Sequence, residues 1–198
     1  MTTTTSVLRA GDVVENPFTG ERILFRRTTA ETGGELVDIE VTVKAGGGVA
    51  AAHVHPYQTE RFEVLEGMLE FRQGRRRLTA APGDVVTVTP GTPHSFRNIG
   101  EGEARFTTEV RPALGFERFI QTMFALAADG KTKKKGMPSP LRLAVIANAH
   151  FDDVRLPYVP GFAQKAALAM GAGIGRLAGF QPAFEPVPEL EPALAPSA

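Results

Sequence analysis

Hydrophobic and polar residues alternate in short segments along the first half of the chain. In the segment 35–43, four β-branched apolar residues alternate with three polar residues. A period of two residues is typical of a β-strand with one buried face. Other strands are predicted at residues 21–27, 52–55, 60–65, 68–72, 76–80, 84–88, 94–98 and 104–110. Glycine or proline separates most of these segments, and many short strands joined by such turns predict an all-β sandwich or barrel.

After Pro112 the hydrophobic pattern changes to the period of an α-helix. Apolar residues recur at spacings of three and four, as they do on an amphipathic helix with one buried face. Ser139 and Pro140 have the residue types of an N-cap followed by a proline at the first helical position. Helices are predicted at about residues 115–128, 139–149 and 162–178.

These patterns divide the chain into four regions. Residues 1–14 show no clear period, and residues 181–198 are rich in proline. Segments of this kind do not bury enough apolar surface to become ordered. We therefore expect a flexible N-terminal arm (1–14), a β-barrel (15–112), an α-helical extension (113–180) and a disordered Pro-rich tail (181–198).

Composition excludes several classes of protein. The chain has 22 basic and 22 acidic residues, and this balance argues against nucleic acid as a partner. It has no cysteine, so disulfides, thiolate zinc sites and cysteine nucleophiles are excluded. The N-terminus has no basic stretch followed by an apolar one, so we expect no secretory signal and a cytoplasmic location.

The predicted helices have apolar faces that need a partner. The charge-free part of the third helix runs only from Ala166 to Gly175, which is too short for a transmembrane segment. We expect these faces to pack on the barrel or on a second subunit, and we expect a homodimer. The alternative is a peripheral membrane contact assisted by Lys131, Lys133, Lys134 and Lys135.

Three of the four histidines fall into a pattern of metal ligands. His53 and His55 are two residues apart and lie on one face of a strand, and Glu60 follows after a break at Pro56. The alternation after the break places the Glu60 carboxylate on an apolar, inward face, where it needs a cation or a strong hydrogen-bond partner. His94 begins a later strand, and pairing of that strand with the His53 segment would bring three imidazoles and one carboxylate together.

Two blocks around these residues resemble the motifs of the cupin superfamily, G-x5-H-x-H-x3,4-E-x6-G and G-x5-P-x-G-x2-H-x3-N. The first motif is matched at every fixed position, and the second at four of its five. The matching residues are Gly47, His53, His55, Glu60, Gly67, Gly83, Gly91, His94 and Asn98. The one departure is Thr89, which stands where the family has proline, with Pro90 one place later. The resemblance implies a double-stranded jelly-roll barrel, to which the helices are a C-terminal extension.

The resemblance also implies a ligand set. In cupins the residues that match His53, His55, Glu60 and His94 hold one divalent metal, which is iron, manganese, nickel, copper or zinc. Glu60 is the candidate catalytic residue, because it can leave the metal and act as a base. His150 lies outside the motifs, near the predicted end of a helix, where the dipole favours a histidine.

Three functions are compatible with such a site. Three imidazoles and one carboxylate leave open coordination positions, so the metal can act as a Lewis acid or a one-electron partner. The first hypothesis is a metal-dependent oxidoreductase of the dioxygenase type. The second is a non-redox cyclase or isomerase, and the third is a ligand-binding or sensing protein without turnover.

The expected partner is a small or medium apolar substrate with adjacent oxygens, which can chelate the metal. We expect an apolar cavity wall that consists of Phe62, Val64, Val86, Val88 and Phe96. By the alternation, Arg61 and Arg97 face away from this cavity, which disfavours a sugar phosphate.

Overall fold

The computed structural model describes residues 7–49, 51–133 and 136–184. Nine strands lie along the first part of the chain. They are β1 (Val13–Asn16), β2 (Glu21–Arg27), β3 (Val37–Val43), β4 (Thr59–Glu66), β5 (Leu69–Gln73), β6 (Arg76–Ala80), β7 (Val85–Val88), β8 (His94–Asn98) and β9 (Ala104–Arg111). The sequence of short strands and turns is the one that the alternating pattern predicts.

The strands form two sheets whose apolar faces supply the core. The larger sheet has the order β1-β2-β3-β9-β4-β7, and the smaller has the order β6-β5-β8. All pairs are antiparallel. Alternate residues are buried, as in β4, where Glu60, Phe62 and Val64 are buried while Arg61 is exposed. The predicted fold, a jelly-roll β-barrel with a helical extension, is confirmed.

The predicted strand at residues 52–55 is replaced by two isolated bridges. His53 pairs with His94, whereas the next residue, Val54, pairs with Arg155. Neighbouring residues therefore form hydrogen bonds with different segments, and no regular strand develops. This irregularity allows both β8 and the helical extension to contact the histidine segment.

The structure also differs from the expected arm over residues 1–14. Residues 1–6 lie outside the described residues, but Leu8 is buried in the core, and Val13 and Val14 belong to β1. This strand pairs with β2, with Val13 opposite Leu24. Its four residues are too few to show a clear period, and pairing with β2 orders them.

Three helices follow the barrel: α1 (Phe116–Ala128), α2 (Pro140–Ala149) and α3 (Gly161–Leu177). Helix α1 packs on β1 and adds Phe116 and Phe124 to the barrel core. Helices α2 and α3 pack closely, since a Cβ atom at Gly175 would lie 2.7 Å from the carbonyl oxygen of Leu141. The extension is thus an ordered part of the fold, while its exact limits, 113–180, stay a prediction.

Helix α3 keeps large apolar side chains at the surface. Phe162, Met170, Ile174 and Leu177 are exposed. Among the described residues, no helix has the length and apolar character needed to cross a membrane. The homodimer stays a prediction. The disordered tail predicted for residues 181–198 lies outside the described residues from residue 185 onwards.

Candidate metal centre

Four side chains converge at one end of the barrel. One ligand atom from each of His53, His55, Glu60 and His94 lies within 4.8 Å of the others. Strand β4 carries Glu60, and β8 carries His94. The backbone N–H of His53 donates to the carbonyl oxygen of His94 at 3.0 Å, and the reverse bond is 2.9 Å long. The long-range pairing expected from the sequence therefore brings the two motifs together.

Glu60 lies between two of the imidazoles. Its Oε2 is 2.6 Å from Nε2 of His94, and its Oε1 is 3.6 Å from Nε2 of His55. Nε2 of His55 is fully buried and has no hydrogen-bond partner in the described part of the chain, and Oε2 of Glu60, also fully buried, has only its close contact with His94. Buried polar atoms are rarely left in this state. A cation among these atoms would satisfy them.

The three imidazole rings are oriented by hydrogen bonds at Nδ1, the ring nitrogen that faces away from the cluster. Nδ1 of His53 lies 3.1 Å from the carbonyl oxygen of Ala51, and Nδ1 of His94 lies 3.0 Å from that of Thr92. Nδ1 of His55 lies 2.6 Å from the carbonyl oxygen of Asp153. A carbonyl oxygen only accepts, so each Nδ1 carries a proton, and in the neutral ring Nε2 is then left with the lone pair that a metal needs. This is the arrangement that metal-binding histidines adopt.

Burial and neighbouring charges set the pKa values of the cluster. Burial, followed by the charges of His94 and His55, lowers the pKa of His53 to about 4. Burial raises the pKa of Glu60, but His55 and His94 outweigh it and lower that pKa to about 2. Burial lowers the pKa of His94, but the Glu60 carboxylate raises it above the usual value. At neutral pH Glu60 is thus ionised and His53 is neutral, as metal ligands must be.

The donor set fits a divalent first-row metal. Imidazole nitrogens and a carboxylate oxygen suit iron, manganese, nickel, copper and zinc alike. The structure brings all four predicted residues together, and the cluster suggests a metal without selecting which one. His150 is not among them, and it lies at the C-terminal end of α2 as expected.

The remaining motif residues shape the barrel rather than the cluster. Asn98 donates from Nδ2 to the carbonyl oxygens of Val43 and Gly102, at 3.0 and 2.8 Å. Gly67 has a φ of +78°, and a Cβ atom there would lie 2.8 Å from Cα of Ala104. Thr89, which replaces the motif proline, has its hydroxyl 3.1 Å from that of Thr92.

The residues expected to line a cavity belong to the packed core. The ring of Phe62 lies 5.0 Å from that of Phe71 and 6.2 Å from that of Phe96. Val64, Val86 and Val88 are also buried in this core. His53 is the most exposed of the four candidate ligands, so the cluster opens toward its side. Arg61 and Arg97 are exposed and face away, as expected.

Sequence reasoning missed two residues that support His55. Oε1 of Gln58 lies 3.1 Å from Nδ1 of His55, and its Nε2 donates to the carbonyl oxygen of Ala113 at 2.9 Å. Asp153, which contacts the same Nδ1, is 98 residues away in sequence. Gln58 lies inside the first motif and is within reach of a sequence argument, whereas Asp153 has no local signal.

A groove adjoins the histidine segment on its outer side. It lies between the Val54–Tyr57 turn and the loop that precedes α3, and its volume is about 360 Å³. Arg155 and Tyr158 line it, and the Arg155 guanidinium lies 5.6 Å from the ring of Tyr57.

Comparison with known proteins agrees with this geometry. Residues 39–110 match the family model described as the cupin domain. Quercetin 2,3-dioxygenase of Bacillus subtilis (strain 168) is 33% identical over 97 residues, which make up 46% of this chain and 27% of that protein. The chain thus spans about a quarter of its relative's length. The cupin resemblance is confirmed: the chain contains a cupin-type domain.

Solved structures with similar folds share little sequence with this chain. KdgF from Halomonas sp. has a TM-score of 0.47 and 18% identity, over 54% of this chain and 92% of that one. A predicted oxalate decarboxylase from Thermotoga maritima has a TM-score of 0.46 and 17% identity, over 54% of this chain and 98% of that one.

Proposed function

We propose that this protein is a cupin metalloenzyme of the dioxygenase type. It holds one divalent metal through His53, His55, Glu60 and His94, and it oxidises a small or medium apolar substrate with adjacent oxygens. The observation that carries the proposal is the convergence of four donor side chains, of which all but His53 are buried. The three imidazoles each form a hydrogen bond through Nδ1 to a backbone carbonyl oxygen.

The chain's own residues suit this chemistry. A metal on these ligands would supply open coordination positions, Lewis acidity and one-electron chemistry. Glu60 is ionised at neutral pH and is a weak base because its pKa is about 2. It therefore suits a proton from a strongly acidified hydroxyl.

The surroundings favour an apolar substrate. The ring of Phe116 lies 6.0 Å from that of His55, and both Phe116 and Phe62 belong to the apolar core of the barrel. Arg61 and Arg97 point away, which leaves the inward faces of β4 and β8 without a guanidinium for a phosphate. A substrate that enters beside His53 would meet the ligands before it meets the packed core.

The bacterial relative supports the type of reaction. Its name states that it is a dioxygenase acting on quercetin. Quercetin is a flavonol, an aromatic molecule with hydroxyl and carbonyl groups on neighbouring carbons, so it has the adjacent oxygens inferred from the site. We therefore place flavonols and related diphenols or enediols first among candidate substrates.

The test begins with metal analysis of protein purified without added metal. Oxygen consumption is then measured for the iron, manganese, nickel, copper and zinc forms with quercetin, catechols and small enediols. Glu60→Gln should abolish uptake. Glu63→Gln is the matched control, because Glu63 lies on the same strand with its side chain paired to Arg61 at the surface.

Two results would overturn the proposal that the protein is a dioxygenase. If the zinc form turns over the substrate as fast without oxygen as with it, the protein is a cyclase or isomerase. Tight substrate binding without product in every metal form would establish the sensing protein. A wild-type protein that binds none of these metals after reconstitution would overturn the metal site itself.

A further inference from the structure

The loop after α2 contacts the histidine segment directly. The backbone N–H of Val54 donates to the carbonyl oxygen of Arg155 at 3.0 Å, and the reverse bond is 2.9 Å long. The carbonyl oxygen of Asp153 accepts a hydrogen bond from Nδ1 of His55 at 2.6 Å. The helical extension therefore supplies the nearer of the two groups that contact Nδ1 of His55, since Oε1 of Gln58 lies 3.1 Å away.

The side chain of Asp153 is itself held on both oxygens. Its Oδ1 accepts from the backbone N–H of Gly115 at 2.7 Å, and its Oδ2 lies 2.7 Å from Nδ1 of His150. Both Asp153 and His150 are buried, and the His150 ring packs on Phe119, 5.5 Å away. A Cβ atom at Gly115 would clash with the Asp153 carboxylate. The carboxylate thus links the start of α1 to the C-terminal end of α2.

A buried carboxylate is expensive unless every oxygen has a partner. An apolar residue at position 153 would fill the same space without that cost, so packing alone does not explain the pair. The contact between His150 and the Asp153 carboxylate fixes the backbone of residue 153, whose carbonyl oxygen accepts the hydrogen bond from His55. Outer-shell groups of this kind hold a ligand ring in the orientation that a metal requires.

We propose that His150 and Asp153 form a positioning unit, through which the helical extension holds the His55 imidazole in its metal-binding orientation. The inference rests on the proposed metal site. It assigns no metal bond to His150 or Asp153. It makes the extension a part of the metal centre rather than an appendage of the barrel.

Metal affinity is the first test. Co²⁺ is titrated into metal-free protein and followed by its absorption bands. His150→Ala and Asp153→Ala should each weaken binding by about tenfold to a hundredfold and change the band shape, as the loss of outer-shell partners does. Asp152→Ala is the matched control. It removes the adjacent carboxylate, which is at the surface and pairs with Arg155, and it should leave affinity unchanged within error.

A conservative variant separates geometry from charge and from simple destabilisation. In Asp153→Asn, the amide oxygen still accepts from the backbone N–H of Gly115, and the amide nitrogen can donate to Nδ1 of His150 in the tautomer with its proton on Nε2. This variant should restore most of the affinity that Asp153→Ala loses. If Asp153→Ala does not fold, Asp153→Asn and Gly115→Ala remain, and Gly115→Ala should weaken Co²⁺ binding by displacing the carboxylate.

A second measurement needs no metal. The Nδ1 proton of His55 should give a slowly exchanging imidazole signal in the NMR spectrum of metal-free protein, and the signal should exchange faster in His150→Ala. A folded His150→Ala protein with wild-type Co²⁺ affinity and wild-type exchange would overturn the positioning unit. A wild-type protein that shows the protected signal but binds no Co²⁺ would overturn the metal site and leave the positioning of His55 standing.

Discussion

Glu60 and Glu21 are two buried carboxylates at opposite ends of the six-stranded sheet. Glu60 lies opposite Val110 of β9, whereas Glu21 lies opposite Val43, which in turn pairs with Ala104 at the other end of β9. Their exposed fractions are nearly equal, 4% and 6%. Differences between them therefore come from their neighbours and not from their depth.

The neighbours move the two pKa values in opposite directions. Three imidazoles surround Glu60, and although burial opposes them, they lower its pKa to about 2. Glu21 has no ion pair among the described residues, and burial raises its pKa, which the Thr19 hydroxyl offsets only in part. The barrel thus buries a carboxylate at both ends, and at the end with the histidines the neighbours lower the pKa and favour the anion that a metal requires.

The largest expected effect is the loss of a ligand. His94→Ala should weaken metal binding by more than the ~100-fold that is the upper end for outer-shell partners, because it removes a bond to the metal itself. Metal content after dialysis measures this. Glu21→Gln, which changes the other buried carboxylate, should keep the full content. Equal losses in the two variants would show that the site is wrongly assigned.

The second-largest expected effect is the stabilisation of the fold by bound metal. A free metal concentration of about a hundred times Kd adds about 2.7 kcal/mol to the free energy of unfolding, because the metal binds the folded chain only. In a chain of this size that corresponds to a rise in Tm of roughly 5–11 °C. Thermal unfolding with and without metal measures it. Glu60→Gln should lose most of the rise, and Glu21→Gln should keep it.

Glu21→Gln should change stability in a pH-dependent way. In the folded protein Glu21 keeps its proton to a higher pH than the usual 4.5, so its contribution to stability falls as pH rises above that value. The variant should therefore gain more over the wild type near neutral pH than at about pH 4, where Glu21 is mostly protonated in both the folded and the unfolded state. Urea unfolding at the two pH values measures this. A gain that is larger at the acidic pH would contradict the assigned direction.

The smallest effect is expected at an exposed carboxylate of the same strand. Glu63 forms a surface ion pair with Arg61 at 2.9 Å, and both side chains are more than two-fifths exposed. Such pairs contribute about 0–1 kcal/mol, so Glu63→Gln should change the free energy of unfolding by less than about 1 kcal/mol. Urea unfolding tests this. A larger loss of stability would show that the ion pair between Glu63 and Arg61 contributes more than a solvated surface pair does.

Much of the fold was predictable because local pattern and tertiary environment agree. The alternation in 35–43 corresponds to β3, and the helical period after Pro112 corresponds to α1. The failures occur where partners are remote. Strand β1 depends on β2, and the segment 52–55 is divided between His94 and Arg155.

The candidate site divides in the same way. His53, His55, Glu60 and His94 were identifiable because two motifs with defined spacing carry them within about forty residues. Asp153 and His150 were not, since nothing near them in sequence refers to His55. The burial of Glu21 was equally hidden, because a charged residue at the start of a strand is more often exposed.

The sequence by itself determined which residue types stand at which spacing. That was enough to predict a barrel, a helical extension and a cluster of metal-binding donors. Only the tertiary structure decided which groups orient those donors and in which direction the pKa of each buried carboxylate is shifted. The physical reason is that hydrogen bonds and burial depend on distances across the fold, and segments 98 residues apart, such as those of His55 and Asp153, meet only after the chain has folded.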